Sequence, residues 1–187
     1  MKYEHYSDPS VGIAVDLINA FGTAPRAAAG RGDEPVGDPA EFLRGHGLDD
    51  TGVTSADGGA VRHLADQLHT IFTTDDDAAA VEVINRVLVE AGARPRVSGH
   101  DGYDWHVHYD AAGAAPLDQL AVTAAMGLAA ALCTGGTDRF GRCDGIACRD
   151  AYVDASRNNR RRFCSDGCAN RAHVTAHRAR RRKDAPQ

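Results

Sequence analysis

The sequence predicts an α+β fold, mainly α: a helical N-terminal domain with one β-hairpin, then a small C-terminal four-cysteine module ending in a basic helix. Three observations predict it. Apolar residues recur at helical spacing through most of the first 138 residues, and a single Gly/Asp-rich turn between alternating residues interrupts them. Four of the five cysteines then stand in two close pairs near the C-terminus. At 187 residues and 43% apolar content the chain suits one medium domain, residues 1–138, plus a small module, residues 139–187. Charged residues at 25% fit a soluble globular protein and not a disordered one.

In order along the chain, "SVGIAVDLINAFG" places Val11, Val15 and Ile18 on one helical face, with Ala14, Leu17 and Phe21 beside them. Residues 23–39, rich in Gly, Pro and Ala, read as a loop. Short helices follow at "DPAEFLRGHG" and "SADGGAVRHLADQLHTIF", the second with Val61, Leu64, Leu68, Ile71 and Phe72 along one stripe. "DDDAAAVEVINRVLVEAGA" reads as another helix. Its acids sit where the helix dipole favours them, and Gly92 lies where a glycine would stop it. "RPRVSGHDGYDWHVHYD" changes to a strand–turn–strand pattern. "PLDQLAVTAAMGLAAALCTGG" returns to helix, with Pro116 acceptable in its first turn. "TGGTDRFGR" reads as the linker to the basic module.

Charge divides the chain in two. Residues 1–138 carry 8 Lys/Arg against 21 Asp/Glu, a net of −13; residues 139–183 carry 13 against 4, a net of +9. With Asp184 these sum to −5. Such asymmetry suggests a basic module that meets a polyanion. No run approaches the ~18–20 unbroken apolar residues of a membrane span. The longest, "LAVTAAMGLAAALC", is 14 residues and reads as a buried helix. "MKYEHYSDPS" lacks the apolar core of a signal peptide, so the expectation is a cytoplasmic protein with no membrane partner.

Cys143 and Cys148 form a C-x4-C pair, Cys164 and Cys168 a C-x3-C pair, and 15 residues separate the two. In a reducing cytosol, paired cysteines favour a metal over disulfides. Four thiolates suit a closed, tetrahedral structural zinc, which leaves no position for a substrate and gives the metal a folding role. Cys133, on the alanine-rich helix, reads as a small core residue. His173 and His177, spaced i, i+4, could share a metal, but four thiolates make them unnecessary.

After Cys168 the stretch "ANRAHVTAHRARRRK" contains no Gly or Pro and reads as a helix. Arg171, Arg178 and Arg182 fall within about 40° of one another around it, with Ala169, Ala172, Ala176 and Ala179 on another face. Upstream, "SRNNRRRFC" adds Arg157, Arg160, Arg161 and Arg162. Arginine binds phosphate bidentately and reads guanine edges, so the two clusters are the candidate nucleic-acid contacts.

Nothing in the acidic part points to catalysis, and the expectation is that the chain is not an enzyme. His106 and His108 alternate on one face beside Trp105 and Asp104, a pattern that can hold a metal but more often marks half-exposed strand residues. "TTDDDAAA" most simply stabilises a helix start, and no P-loop, dinucleotide fingerprint, nucleophile elbow or H-E-x-x-H is present. Asp16 and Asn19, polar on an apolar helix, are the place to look for a ligand, although bridging between helices is the simpler role.

"CDGIACRDAYVDASRNNRRRFCSDGCANRAHVTAHRARRR" closely resembles the CGNR zinc-finger module of bacterial proteins, through its four cysteines, "DASRNNRRRFCS" and "CANR" running into a basic helix. The preceding domain resembles the module's usual companion, the ABATE domain of stress-induced transcription regulators, through "AVDLINAFG" and the Leu/Ala-rich helix before the finger. The resemblance implies Zn²⁺ held by Cys143, Cys148, Cys164 and Cys168, with Asn170 and Arg171 as signature residues, and a role in DNA-binding transcription regulation. Ala169 stands where the signature has glycine, which a helical backbone tolerates. The N-terminal domain is then a sensor or oligomerisation element, with a homo-oligomer and a small-molecule effector as its partners. Three alternatives stay open: an RNA-binding finger, a protein-interaction module whose arginines dock on acidic surfaces, including this chain's own N-terminal domain, and a metalloenzyme built on His106 and His108.

Overall fold

The computed structural model describes residues 8–99 and 105–183. The chain is mainly helical, as its pattern predicts, and has a second small hairpin beside the one expected. Helices α1 (Asp8–Phe21), α2 (Thr23–Ala28) and α3 (Pro39–Gly45) come first, then α4 (Gly58–His69) and α5 (Asp77–Glu90). Strands β1 (Arg96–Ser98) and β2 (His106–His108) form the expected antiparallel hairpin, with Val97 opposite Val107. Helix α6 (Pro116–Gly135) leads to β3 (Phe140–Arg142) and β4 (Ala151–Val153), also antiparallel, and α7 (Asp166–Lys183) closes the described chain.

Helix ends follow local chemistry. Asp38 caps α3 by accepting from the Ala40 N–H at 3.0 Å, and Asp76 caps α5 by accepting from that of Ala78 at 2.9 Å. Gly92 ends α5 at φ +63°, a conformation that favours glycine. The acids of "TTDDDAAA" are thus helix-start groups: Asp77 also accepts from the Thr137 N–H (2.7 Å) and hydroxyl (2.8 Å), tying α5 to the exit of α6.

The core is a helical layer in which α6 packs between α1 and α5, with α4 closing one side. Leu17, Ile18, Phe21, Leu43, Leu68, Ile71, Leu120 and Leu128 are fully buried. Each such side chain contributes about 1.5–3 kcal/mol relative to exposure. By length and composition alone α6 could cross a membrane; in this fold it is the central core helix. Gly127 sets its approach to α1, since a Cβ there would lie 2.5 Å from the Ser10 backbone.

Three expectations need correction. Residues 23–39 are not all loop, because Thr23–Ala28 form α2. Pro25 fits its first turn, where no N–H is required, and the buried Arg26 guanidinium donates to the carbonyls of Ala20, Arg31, Glu34 and Pro35. Cys133 is exposed, because it sits one position, and so about 100°, beyond the buried Leu132. Finally, "TGGTDRFGR" joins the two parts instead of spacing them. It contains a 3₁₀ turn and β3, and the Phe140 ring meets Phe72 edge-on at 5.1 Å.

The second hairpin therefore belongs to the N-terminal core. Ala151 of β4 is fully buried in it, with Val153 packed alongside. The Asn19 side chain clasps the same residue: Nδ2 donates to the Ala151 carbonyl at 3.1 Å, and Oδ1 accepts from its N–H at 2.7 Å. Asn19 therefore bridges, but from α1 to a strand and not, as expected, to another helix.

Candidate metal centre and basic surface

The first cysteine pair lies in the loop between β3 and β4, and the second at the start of α7. The hairpin brings the loop round, with the Cys143 N–H donating to the Asp150 carbonyl at 2.9 Å. Gly145 turns back over the sulfur, its N–H reaching Cys143 Sγ at 3.3 Å. Cys168 sits in the first turn of α7, where the helix dipole favours a thiolate.

The four Sγ atoms lie within 4.8 Å of one another. Cys164 Sγ is 3.8 Å from that of Cys148 and 3.7 Å from that of Cys168. Thiolates ~2.3 Å from a tetrahedral zinc ion stand about 3.8 Å apart. The donor set and its spacing fit that ion, and no fifth protein group is needed. Three of the sulfurs are buried, while Cys164 is only half-buried. His173 meets the Phe163 ring edge-on at 6.3 Å, so it belongs to packing around the centre and not to its ligands.

Burial pushes the Cys148 thiol up to about 12 and raises that of Cys164 as well. Burial also acts upward on Cys168, but hydrogen bonds from Cys164 and Ser165 outweigh it and the net shift is downward. A divalent cation must displace protons from the first two before all four can bind it.

Two cations support the centre. Arg171 Nη2 reaches Cys168 Sγ at 2.9 Å, and Arg149 Nη1 donates to the Cys148 carbonyl at 2.7 Å. Arg161 spans the segment before Cys164: its guanidinium donates to the carbonyls of Val153 (3.2 Å), Phe163 (3.0 Å) and Cys164, and lies 5.1 Å over the Tyr152 ring. The Tyr152 hydroxyl donates to the Arg161 carbonyl at 2.5 Å. Asp154, 3% exposed, accepts from the N–H groups of Ser156 and Arg161.

The arginines expected to touch nucleic acid thus divide. Arg161 and Arg171 are occupied within the finger, and Arg162 pairs with Asp144 at 2.9 Å. Arg157, Arg160 and Arg178 are exposed and make no hydrogen bond or ion pair among the described residues, and Asn170 is exposed. The Arg182 side chain lies outside the described residues. The supporting roles of Tyr152, Asp154 and Arg149 were missed from sequence, because only the closed hairpin brings them to the cysteine loops.

His106 and His108 share a face of β2, with Nε2 atoms 2.9 Å apart, and His108 Nδ1 lies 3.5 Å from an Asp110 oxygen. Asp104 lies outside the described residues. Among those described, the four cysteines form the one cluster of three or more potential ligands.

Family models match both parts of the chain. Residues 12–135 match the ABATE model, described as "Putative stress-induced transcription regulator". The chain belongs to the ABATE family. Residues 139–181 match the CGNR zinc finger, so this ABATE protein carries that module after its helical domain. A search of curated proteins found no match. The signature's third and fourth letters are Asn170 and Arg171. Ala169, in its glycine position, is helical, which explains why alanine is accepted. The ABATE protein therefore has a four-cysteine metal-binding site within a zinc finger, beside a domain whose family is described as "Putative stress-induced transcription regulator".

Proposed function

We propose that this ABATE protein is a zinc-dependent, DNA-binding transcriptional regulator, non-catalytic and cytoplasmic. The observation that carries the reading is the set of exposed, unpartnered arginines on the finger: Arg157 and Arg160 ahead of the third cysteine, and Arg178 on α7. The cysteine cluster holds together the two segments that carry them. Guanidinium groups without internal partners are suited to phosphate oxygens, and such contacts position a protein on a duplex without reading its sequence. Arg161 and Arg171 contribute indirectly, by shaping the finger. A cluster closed by four protein thiols leaves no open coordination position, which supports a structural zinc over a catalytic one. Four thiols kept unbridged suit a reducing compartment.

The test is a salt series of full-length, zinc-loaded protein on random duplex DNA and on RNA, beside the variant with Arg157, Arg160 and Arg178 all replaced by alanine. Three lost phosphate contacts should flatten the log–log salt slope on DNA by about 2.7. An unchanged slope in the triple variant, or tighter binding to RNA than to DNA, overturns the reading.

A further inference from the structure

A cleft of ≈ 600 Å³ lies where α1, α6 and the finger meet. That is the size of a small-molecule site. One side is apolar, built from Val11 and Val15 of α1 and Ala130 and Ala131 of α6. The other is the finger itself, from Asp150 to Ala155, with Arg139, Arg161, Cys164 and Ser165.

The charges in its wall are unevenly satisfied. Both arginines are held by backbone: Arg161 as described above, and Arg139 by the carbonyls of Asp154 (3.0 Å) and Ser156 (2.6 Å). Buried Asp154 offsets one of these positive charges, and N–H groups occupy both its oxygens. Two further carboxylates lack an arginine or lysine partner among the described residues. The Asp16 side chain is 60% exposed and its ion-pair partner is His46 at 3.7 Å. Asp150 Oδ2 lies 3.6 Å from Cys164 Sγ, and no ion pair reaches it among the described residues. Arg171 lies at Cys168 and Arg149 at the carbonyls of the first knuckle.

We infer that this cleft binds a small organic cation with an apolar body, an alkyl- or arylamine whose charged end is drawn to the lining carboxylates, Asp16 of α1 and Asp150 of the finger, and whose body lies against Val11, Val15, Ala130 and Ala131. An anion of the same size is disfavoured by those carboxylates. The wall includes Cys164 and Ser165, so an occupant touches the loop that sets the start of α7. In the DNA-binding reading, on which only this last step rests, the amine is an effector.

The test uses full-length, zinc-loaded protein, ¹⁵N-labelled, titrated with hexylamine, hexanol and hexanoate. Hexylamine should shift the amides of residues 150–155 and 130–134, and bind about tenfold more tightly than either control, the worth of one charge-assisted contact. Asp16→Asn, remote from the cysteines, should reduce the amine to the level of the alcohol. Asp150→Asn should do the same, with zinc stoichiometry measured alongside to show the centre intact. Equal binding of all three probes, shifts confined to other surfaces, or an Asp16→Asn variant that keeps the amine preference overturns the proposal. The readout is independent of DNA, so failure of the DNA-binding reading leaves it interpretable.

Discussion

Ala147, in the first cysteine knuckle, has φ +53°, in the left-handed region where a Cβ is unfavourable. The cysteines on either side of that loop fix its path, so the residue carries the strain. Replacing Ala147 with glycine should stabilise the zinc-loaded finger by about 1 kcal/mol, read as a shift of the denaturant midpoint. Arg161 and Arg160 are neighbours with opposite prospects. Arg161→Ala leaves three carbonyls without their donor and uncovers Tyr152, and should cost about 2 kcal/mol of finger stability. Arg160→Ala touches no internal partner and should stay within ~0.5 kcal/mol while weakening DNA binding. Denaturation and binding curves on both variants check the contrast. Equal stability losses would remove the distinction between clamp and contact.

At the scale of elements, the finger is two knuckles held by a hairpin loop and a helix start, with α7 extending beyond them. From His173 to Arg178 that helix is exposed throughout, so past its first turns only the metal centre and its own hydrogen bonds hold it. Chelation should therefore raise hydrogen exchange across 143–149 and 160–178 while α1, α4, α5 and α6 stay protected. Acid should act in the same direction. The Cys148 thiol is raised to about 12, and Cys164 is raised too, so both are protonated below that range in the metal-free fold. Metal uptake then releases at least these two protons, and apparent zinc affinity should fall about a hundredfold for each unit of pH lost near neutrality. In the metal-free fold Cys148 and Cys164 have the opposite trend: both favour the protonated, folded form, and the contribution of Cys148 is lost as pH rises from 9.0 towards about 12. Competition with a zinc chelator between pH 6 and 8 measures the first effect; a pH-independent affinity would contradict it.

At the scale of the whole molecule, the two family modules share a core. Phe140 against Phe72 and Ala151 buried beneath Asn19 fasten the finger's hairpin to the helical domain. A fragment of residues 139–187 would expose these apolar contacts and lose the partners of the Ala151 backbone. With zinc it should fail to give the slow-exchanging β3–β4 amides that the full chain shows. A fragment with full-chain protection at Ala151 would show that the hairpin needs no helical support. The shared core also means that the −13 and +9 parts meet directly, and the cleft lies where they meet.

Much of this was legible in the sequence. Helical periodicity marked α1, α4, α5 and α6 because each buries one stripe, and Gly92 and Pro116 marked ends because glycine and proline act through local backbone geometry. The four cysteines were readable as one site because knuckle spacing is itself local, and the closing tetrahedron adds only the long-range step from Cys148 to Cys164. Tertiary structure decided what depends on residues far apart in the chain. Arg161 and Arg171 look like their free neighbours until the fold supplies carbonyls and a sulfur for them. Cys133 looks like core until the neighbouring Leu132 takes the buried position. "TGGTDRFGR" looks like a linker because its strand is three residues long and is held by Phe72 and by the distant strand β4, which Asn19 clasps. A composition rule sees only neighbours in sequence, and the forces that place these residues come from neighbours in space.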